Sequence, residues 1–133
     1  MAALHTDRRS RDKRFFVPVI RAHSMRFAPL DTRAALSPNV FGISEPRHRQ
    51  RIDTARLDLV LVSLVGFDTN GNRLGMGGGF YDRHFSAQIN RTSWFRPLLI
   101  GVAYDFQRVD VVPRDPWDVP LRGIVTDREF YSI

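Results

Sequence analysis

Apolar positions along the chain fall into a few runs separated by glycine, proline and charge. The densest is LDLVLVSLVGF at 57–67, an almost continuous apolar stretch of the kind a strand buried on both faces carries. PLLIGVAYDF at 97–106 reads the same way and ends on Asp105 and Phe106. RFFVPVI at 14–20 is aromatic and β-branched, with a proline that suits an edge or irregular strand, and GIVT at 123–126 is a short late strand. Residues 21–56 read as irregular, punctuated by Pro29, Pro38, Gly42 and Pro46, with one helical turn expected around 31–36. DTNGNR at 68–73 is a tight-turn sequence, since Asn-Gly accepts a positive φ at little cost. From about Phe80 to Ile89, Tyr81, Phe85 and Gln88/Ile89 recur at helical spacing on one face. Strand, glycine loop, helix and strand in that order predict an α/β fold with a largely parallel sheet flanked by helices. The expected organisation is a basic segment at 1–13 followed by a single α/β domain at 14–133, with no internal repeat and no low-complexity linker.

Composition narrows what such a fold can do. The 133 residues are 43% hydrophobic with 10 Phe, enough for a packed core. No apolar run reaches the length of a membrane span, because Ser63, Gly66 and Asp68 interrupt the longest one. The first residues contain no hydrophobic signal region, so a cytoplasmic protein is expected. Without cysteine there is no disulfide, thiolate metal site or cysteine nucleophile, and the four histidines lack metal-ligand spacing. The formal charge of +6 is carried almost wholly by arginine, Lys13 being the only lysine. It clusters in RRSRDKR at 8–14 and RHRQR at 47–51, which read first as solvated surface. Basic charge attracts polyanions, nucleotides and polyglutamates among them, but no nucleic-acid-binding motif accompanies it.

The candidate chemistry lies in GNRLGMGGGFYDRHF, residues 71–85. A helix N-terminus presents unpaired N–H groups and partial positive charge, and Gly75, Gly77, Gly78 and Gly79 would let backbone approach an anion closely. Asp82 would sit in the first helical turn, where a carboxylate is favoured, or would hold a Mg²⁺ bridging phosphate oxygens. The loop is neither a Walker loop, lacking Gly-Lys-Ser/Thr, nor a dinucleotide fingerprint, since Phe80 stands at the third glycine. Composition and spacing leave an anion cradle and a plain turn equally open. RDPWDVPLRG at 114–123 offers Asp115, Trp117 and Asp118. They are turn and packing residues on one reading; on the other, Asp118 completes a metal site with Asp82. No serine elbow or catalytic triad is visible.

LDLVLVSLVGFDTNGNRLGMGGGFYDR resembles the signature of the 5-formyltetrahydrofolate cyclo-ligases, also called 5,10-methenyltetrahydrofolate synthetases. The likeness continues through IGVAYDFQRVDVVPRDPWDVPLRGIVT, and upstream through FFVPVI, MRF and FGISEP, so it covers about residues 13 to 130. It implies a fold similar to that of the sugar-phosphate isomerase and CoA-transferase group. It also implies ATP-dependent cyclisation of 5-formyltetrahydrofolate to 5,10-methenyltetrahydrofolate, with ADP and phosphate released. The resemblance carries ATP contacts onto Arg73, Leu74, Gly75, Met76, Gly77, Gly78, Gly79, Phe80 and Tyr81. Folate contacts fall on Met76, Gly77, Gly78, Gly79, Phe80 and Tyr81, and Mg²⁺ on Asp82 and Asp118. No nucleophilic side chain is required, and a monomer binding no membrane is expected. Two departures stand out. The family's N-terminal basic helix and folate-contacting glutamate strand have no counterpart, Arg8, Arg9 and Arg11 not aligning with that helix, and Ser63 stands where the family usually has proline. The alternative is a nucleotide- or folate-binding remnant without turnover.

Overall fold

The computed structural model describes residues 13–30, 35–47, 50–89 and 97–133. The basic start at 1–12, residues 31–34 of the expected helical turn, two residues of the RHRQR cluster and the side chains of Gln88 and Ile89 lie outside the described residues. The chain falls into two compact units, one drawn from Met1–Ala22 and Arg26–Asp53, the other from His23–Met25 and Thr54–Ile133.

In the first unit, β-branched alternation makes strand β1 (Phe16–Arg21), which buries Val17 and Val19 on one side. It pairs with β2 (Ser24–Pro29) alone, which leaves room for Pro18 on an edge. The proline-punctuated stretch expected to be irregular instead folds into a hairpin of β3 (Leu36–Pro38) and β4 (Ser44–Pro46). Local polar chemistry builds it: the Asn39 side-chain oxygen accepts from the Phe41 and Ile43 amides at 2.8 and 3.0 Å. Glu45, buried on β4, accepts from the Ile20 amide, the Arg21 guanidinium and the Asn39 amide, each at 2.8 Å. Burial raises the pKa of this carboxyl, but the hydrogen bonds and the Arg21 charge outweigh it and leave a net lowering.

The second unit carries a four-stranded sheet of β5 (Leu59–Ser63), β8 (Leu98–Val102), β9 (Gly123–Val125) and β10 (Phe130–Ser132), in the order β10-β9-β8-β5. β5 and β9 run parallel to β8, but β10 returns antiparallel on β9. The sheet is therefore mixed, with two parallel pairings and one antiparallel. The expectation that 57–67 is one strand buried on both faces fails. Val60 and Val62 are buried, whereas Leu59 and Leu61 are 49% and 51% exposed, the alternation of a half-covered sheet. Likewise 97–106 is strand only to Val102, and Asp105–Gln107 form a 3₁₀ turn.

Between β5 and β8 lie the short strands β6 (Gly66–Phe67) and β7 (Arg73–Leu74), paired antiparallel, and then helix α1 (Phe80–Ile89), over the span its periodicity predicts. The buried face of the sheet, Val60, Val62, Leu99 and Ile124, belongs to a core with Leu64, Phe67, Phe85, Val112, Val119 and Leu121. Each such side chain contributes about 1.5–3 kcal/mol of burial free energy. That core fixes both ends of the glycine loop.

Candidate nucleotide and folate site

The turn that delivers the chain into β7 is organised by one carboxylate. Asp68 is fully buried; its Oδ1 accepts from the Asn70 and Asn72 amides, both at 3.0 Å. Its Oδ2 accepts from the Asn72 side-chain amide at 2.9 Å and from the Val112 amide at 3.0 Å. Burial works to raise its pKa, but four donors reverse that and leave it below the ordinary value. The sequence shows only a tight turn here. An Asp two residues ahead of Asn-Gly, at the end of an apolar run, is the available signal, but nothing local points to Val112.

Beyond the turn, the glycine loop is open. A Cβ placed on Gly75 or Gly77 would meet nothing within 4 Å, and Met76 is 95% exposed. Gly77 and Gly79 have φ of 81° and 58°, left-handed backbone that only glycine takes without strain. The loop is held at its far end by Arg83, whose Nη2 donates to the Gly78 carbonyl at 2.7 Å and whose guanidinium lies 5.1 Å from the Phe80 ring centroid. The result is an exposed arch of backbone leading straight into the N-terminus of α1, where unpaired N–H groups favour anions.

Asp82 lies in the first turn of α1, as the sequence predicts, and its partners are specific. Its Oδ1 accepts from Arg73 Nη2 at 2.5 Å and from the Val119 amide at 3.1 Å, while Arg73 Nη1 donates to the Val119 carbonyl. Asp82 thus meets the backbone next to Asp118. The Asp118 carboxylate turns to the Asp115 amide, which donates to its Oδ2 at 2.8 Å, so Asp115 and Asp118 do form a turn. Trp117 is 63% exposed and is not a packing residue. Asp105 serves elsewhere: it accepts the Tyr131 hydroxyl at 2.5 Å, and its amide donates to Asp127.

Tyr81 packs its ring parallel to Phe85, 6.4 Å between centroids. Burial raises the pKa of its hydroxyl, against a hydrogen bond with Ser63 and the nearby Arg73 charge, which lower it. Ser63 at the end of β5 thus supplies a side-chain partner to Tyr81.

Among the described residues no three His, Cys, Asp or Glu side chains gather as a metal site. Asp82 and Asp118 are hard oxygen donors, each with one carboxylate oxygen engaged by protein donors. Carboxylate oxygen is the donor type Mg²⁺ takes, bound through one or two carboxylates and completed by water and substrate phosphates. No helix among the described residues is long and apolar enough to cross a membrane.

Comparison with known proteins gives one family. The family model of the 5-formyltetrahydrofolate cyclo-ligases matches residues 2–127. The 5-formyltetrahydrofolate cyclo-ligase of Escherichia coli K12 is 36% identical over 125 residues, covering 90% of this chain and 66% of the relative. That of Haemophilus influenzae is 38% identical over 119 residues, covering 86% and 62%. The NMR structure of the Aquifex aeolicus 5,10-methenyltetrahydrofolate synthetase matches with a TM-score of 0.74 and 31% identity, over 98% of this chain and 61% of that one. The Mycoplasma pneumoniae synthetase matches with a TM-score of 0.61, also at 31% identity, over 86% and 57%. The chain thus spans about two thirds of the length of these relatives.

Proposed function

The chain belongs to the 5-formyltetrahydrofolate cyclo-ligase family, and on that premise we propose that it cyclises 5-formyltetrahydrofolate to 5,10-methenyltetrahydrofolate using ATP. The observation that carries this reading is the open glycine arch between β7 and α1, ending on a carboxylate that adjoins Asp118 through Val119.

The formyl oxygen of the substrate is a poor leaving group. Transfer of the γ-phosphoryl group from ATP to that oxygen releases ADP and makes the formyl carbon electrophilic. N10 of the folate then attacks that carbon and gives up its proton to solvent, and the C–O bond breaks with departure of inorganic phosphate. Two tasks fall to the protein: to hold the phosphoryl donor and formyl oxygen in line, and to stabilise charge on the transferring group. The backbone from Gly75 to Gly79 and the N-terminus of α1 suit the second task, with Leu74, Phe80 and Tyr81 completing the ATP-binding stretch. Met76, Phe80 and Tyr81 supply apolar surface for the folate rings. Asp82 and Asp118 would hold Mg²⁺, which when bound neutralises phosphate charge.

Methenyl-folate absorbance after mixing folded chain with Mg²⁺, ATP and 5-formyltetrahydrofolate tests the proposal. Product that requires all three supports it; none from folded protein refutes turnover. A second reading, binding without turnover, is favoured by the exposed Leu59 and Leu61 on β5 and Leu98 and Val102 on β8, an apolar face at a parallel strand pair of the kind that is ordinarily covered. Calorimetry showing ATP or folate binding without product would select it.

A further inference from the structure

The resemblance places Arg73 among the ATP contacts, yet its geometry points elsewhere. Its side chain is 7% exposed. One terminal nitrogen is committed to the Val119 carbonyl and the other to Asp82 Oδ1, which the Val119 amide also reaches. The three groups form a closed circuit joining β7, the first turn of α1 and the segment that carries Asp118. Its base is firm, because Arg73 pairs with Phe67, a fully buried residue whose ring meets Tyr131 at 5.4 Å.

We infer that Arg73 is a positioning residue that assembles the Asp82/Asp118 pair for a divalent cation, and is not itself a phosphate ligand. The inference rests on the reading of these two carboxylates as Mg²⁺ ligands. A buried guanidinium without its carboxylate would cost several kcal/mol, so Arg73 is held to Asp82 and little of it is left for a ligand. Conversely, with Arg73 removed, Asp82 loses its counter-charge and Val119 loses its carbonyl partner. Asp82 then turns toward water, and the backbone at Val119, next to Asp118, drifts from α1. Groups that orient metal ligands in this way typically change metal affinity by about 10–100-fold. A lysine keeps the charge but not the fork that reaches both Asp82 and Val119.

The test uses paramagnetic broadening of amide signals by Mn²⁺, which needs neither nucleotide nor turnover. In the unsubstituted chain, the Asp82, Asp118 and Val119 amides should broaden together at a lower Mn²⁺ concentration than those of other aspartates. In Arg73→Gln, the same broadening should need at least ten times more Mn²⁺, with faster hydrogen exchange at the Val119 amide; Arg73→Lys should fall between, and serves if the glutamine variant does not fold. Joint broadening at unchanged Mn²⁺ in a folded variant would overturn the positioning role alone. Absence of joint broadening in the unsubstituted chain would overturn the inference together with the metal reading beneath it. A parallel titration with Mg²⁺-free ATP separates the direct role: a loss of ATP affinity in Arg73→Gln equal with and without Mg²⁺ would make Arg73 a phosphate ligand and refute the inference.

Discussion

Replacing Asp68 by asparagine is the sharpest test of how the glycine loop is anchored. The two side chains have nearly the same shape, so packing is preserved while one acceptor oxygen becomes an NH₂ donor. In either amide orientation, two of the four donors around Asp68 lose their acceptor. The Val112 amide belongs to a buried residue and has no route to water, and stranding such a donor costs about 1–3 kcal/mol. The Asn72 side chain is only half-buried and can turn outward, so its loss is smaller. Removing a buried charge returns part of the desolvation cost. The net is a destabilisation of about 2–3 kcal/mol near neutral pH. Urea unfolding followed by far-UV circular dichroism, with a slope of about 1.5 kcal/mol per molar, would show the midpoint fall by roughly 1.3–2 M. The pH dependence has a definite sign. Because the folded carboxyl titrates below its ordinary value, its contribution is present above the unfolded pKa and is lost as pH falls through the folded one. The gap between the two proteins should therefore be full at neutral pH and close below about pH 4. A gap under about 0.5 kcal/mol at neutral pH, or one unchanged in acid, would refute the reasoning.

Further consequences are testable in the same preparations. Glu45→Gln turns one of the two carboxylate oxygens, which accept from Ile20 and Asn39 at Oε1 and from Arg21 at Oε2, into an NH₂ donor and removes the counter-charge of Arg21; it should lower stability by about 1–3 kcal/mol in urea unfolding, again with the deficit shrinking in acid. The Tyr131 hydroxyl, donating to Asp105 and partly desolvated, has its pKa pushed up to about 12, so the tyrosinate absorbance titration should show a component there that Tyr131→Phe removes. The stability linked to it is intact below pH of about 10 and lost as pH climbs toward that value; a high component that persists in the variant would contradict the assignment. Gly77→Ala forces a side chain into left-handed backbone at a cost of about 1–2 kcal/mol, although the space is open. ATP affinity should fall with little change in the rest of the amide spectrum, and unchanged affinity would remove the loop from the binding site.

The helix was legible because a glycine cluster, a first-turn carboxylate and the spacing of Tyr81 and Phe85 all agree on one start and one face. Strands β1, β5, β8 and β9 were legible as apolar runs, but not their exposure. Leu59 and Leu61 carry the same hydropathy as Val60 and Val62, and only the covering of one sheet face distinguishes them. The hairpin of β3 and β4 was missed because its prolines argue against strand, while Asn39 holds its turn through the Phe41 and Ile43 amides and Glu45 ties it to Ile20 and Arg21, far away in sequence. Parallel pairing of β5 with β8 followed from the intervening helix; the antiparallel return of β10 depends on the turn after β9, where the Thr126 hydroxyl accepts from the Arg128 and Glu129 amides. Around the candidate site, residue types and spacing marked the glycines and Asp82. The meeting of Arg73 and Asp82, 9 residues apart, with Val119, 37 and 46 residues further on, is encoded by no local pattern.

The central claim is that ATP activates the formyl oxygen itself. It is tested most directly with 5-formyltetrahydrofolate carrying ¹⁸O in the formyl group, mixed with Mg²⁺, ATP and the folded chain. Mass spectrometry of the released inorganic phosphate should find one ¹⁸O for each methenyl-folate formed. Phosphate without the label, or label released into water, would contradict the account.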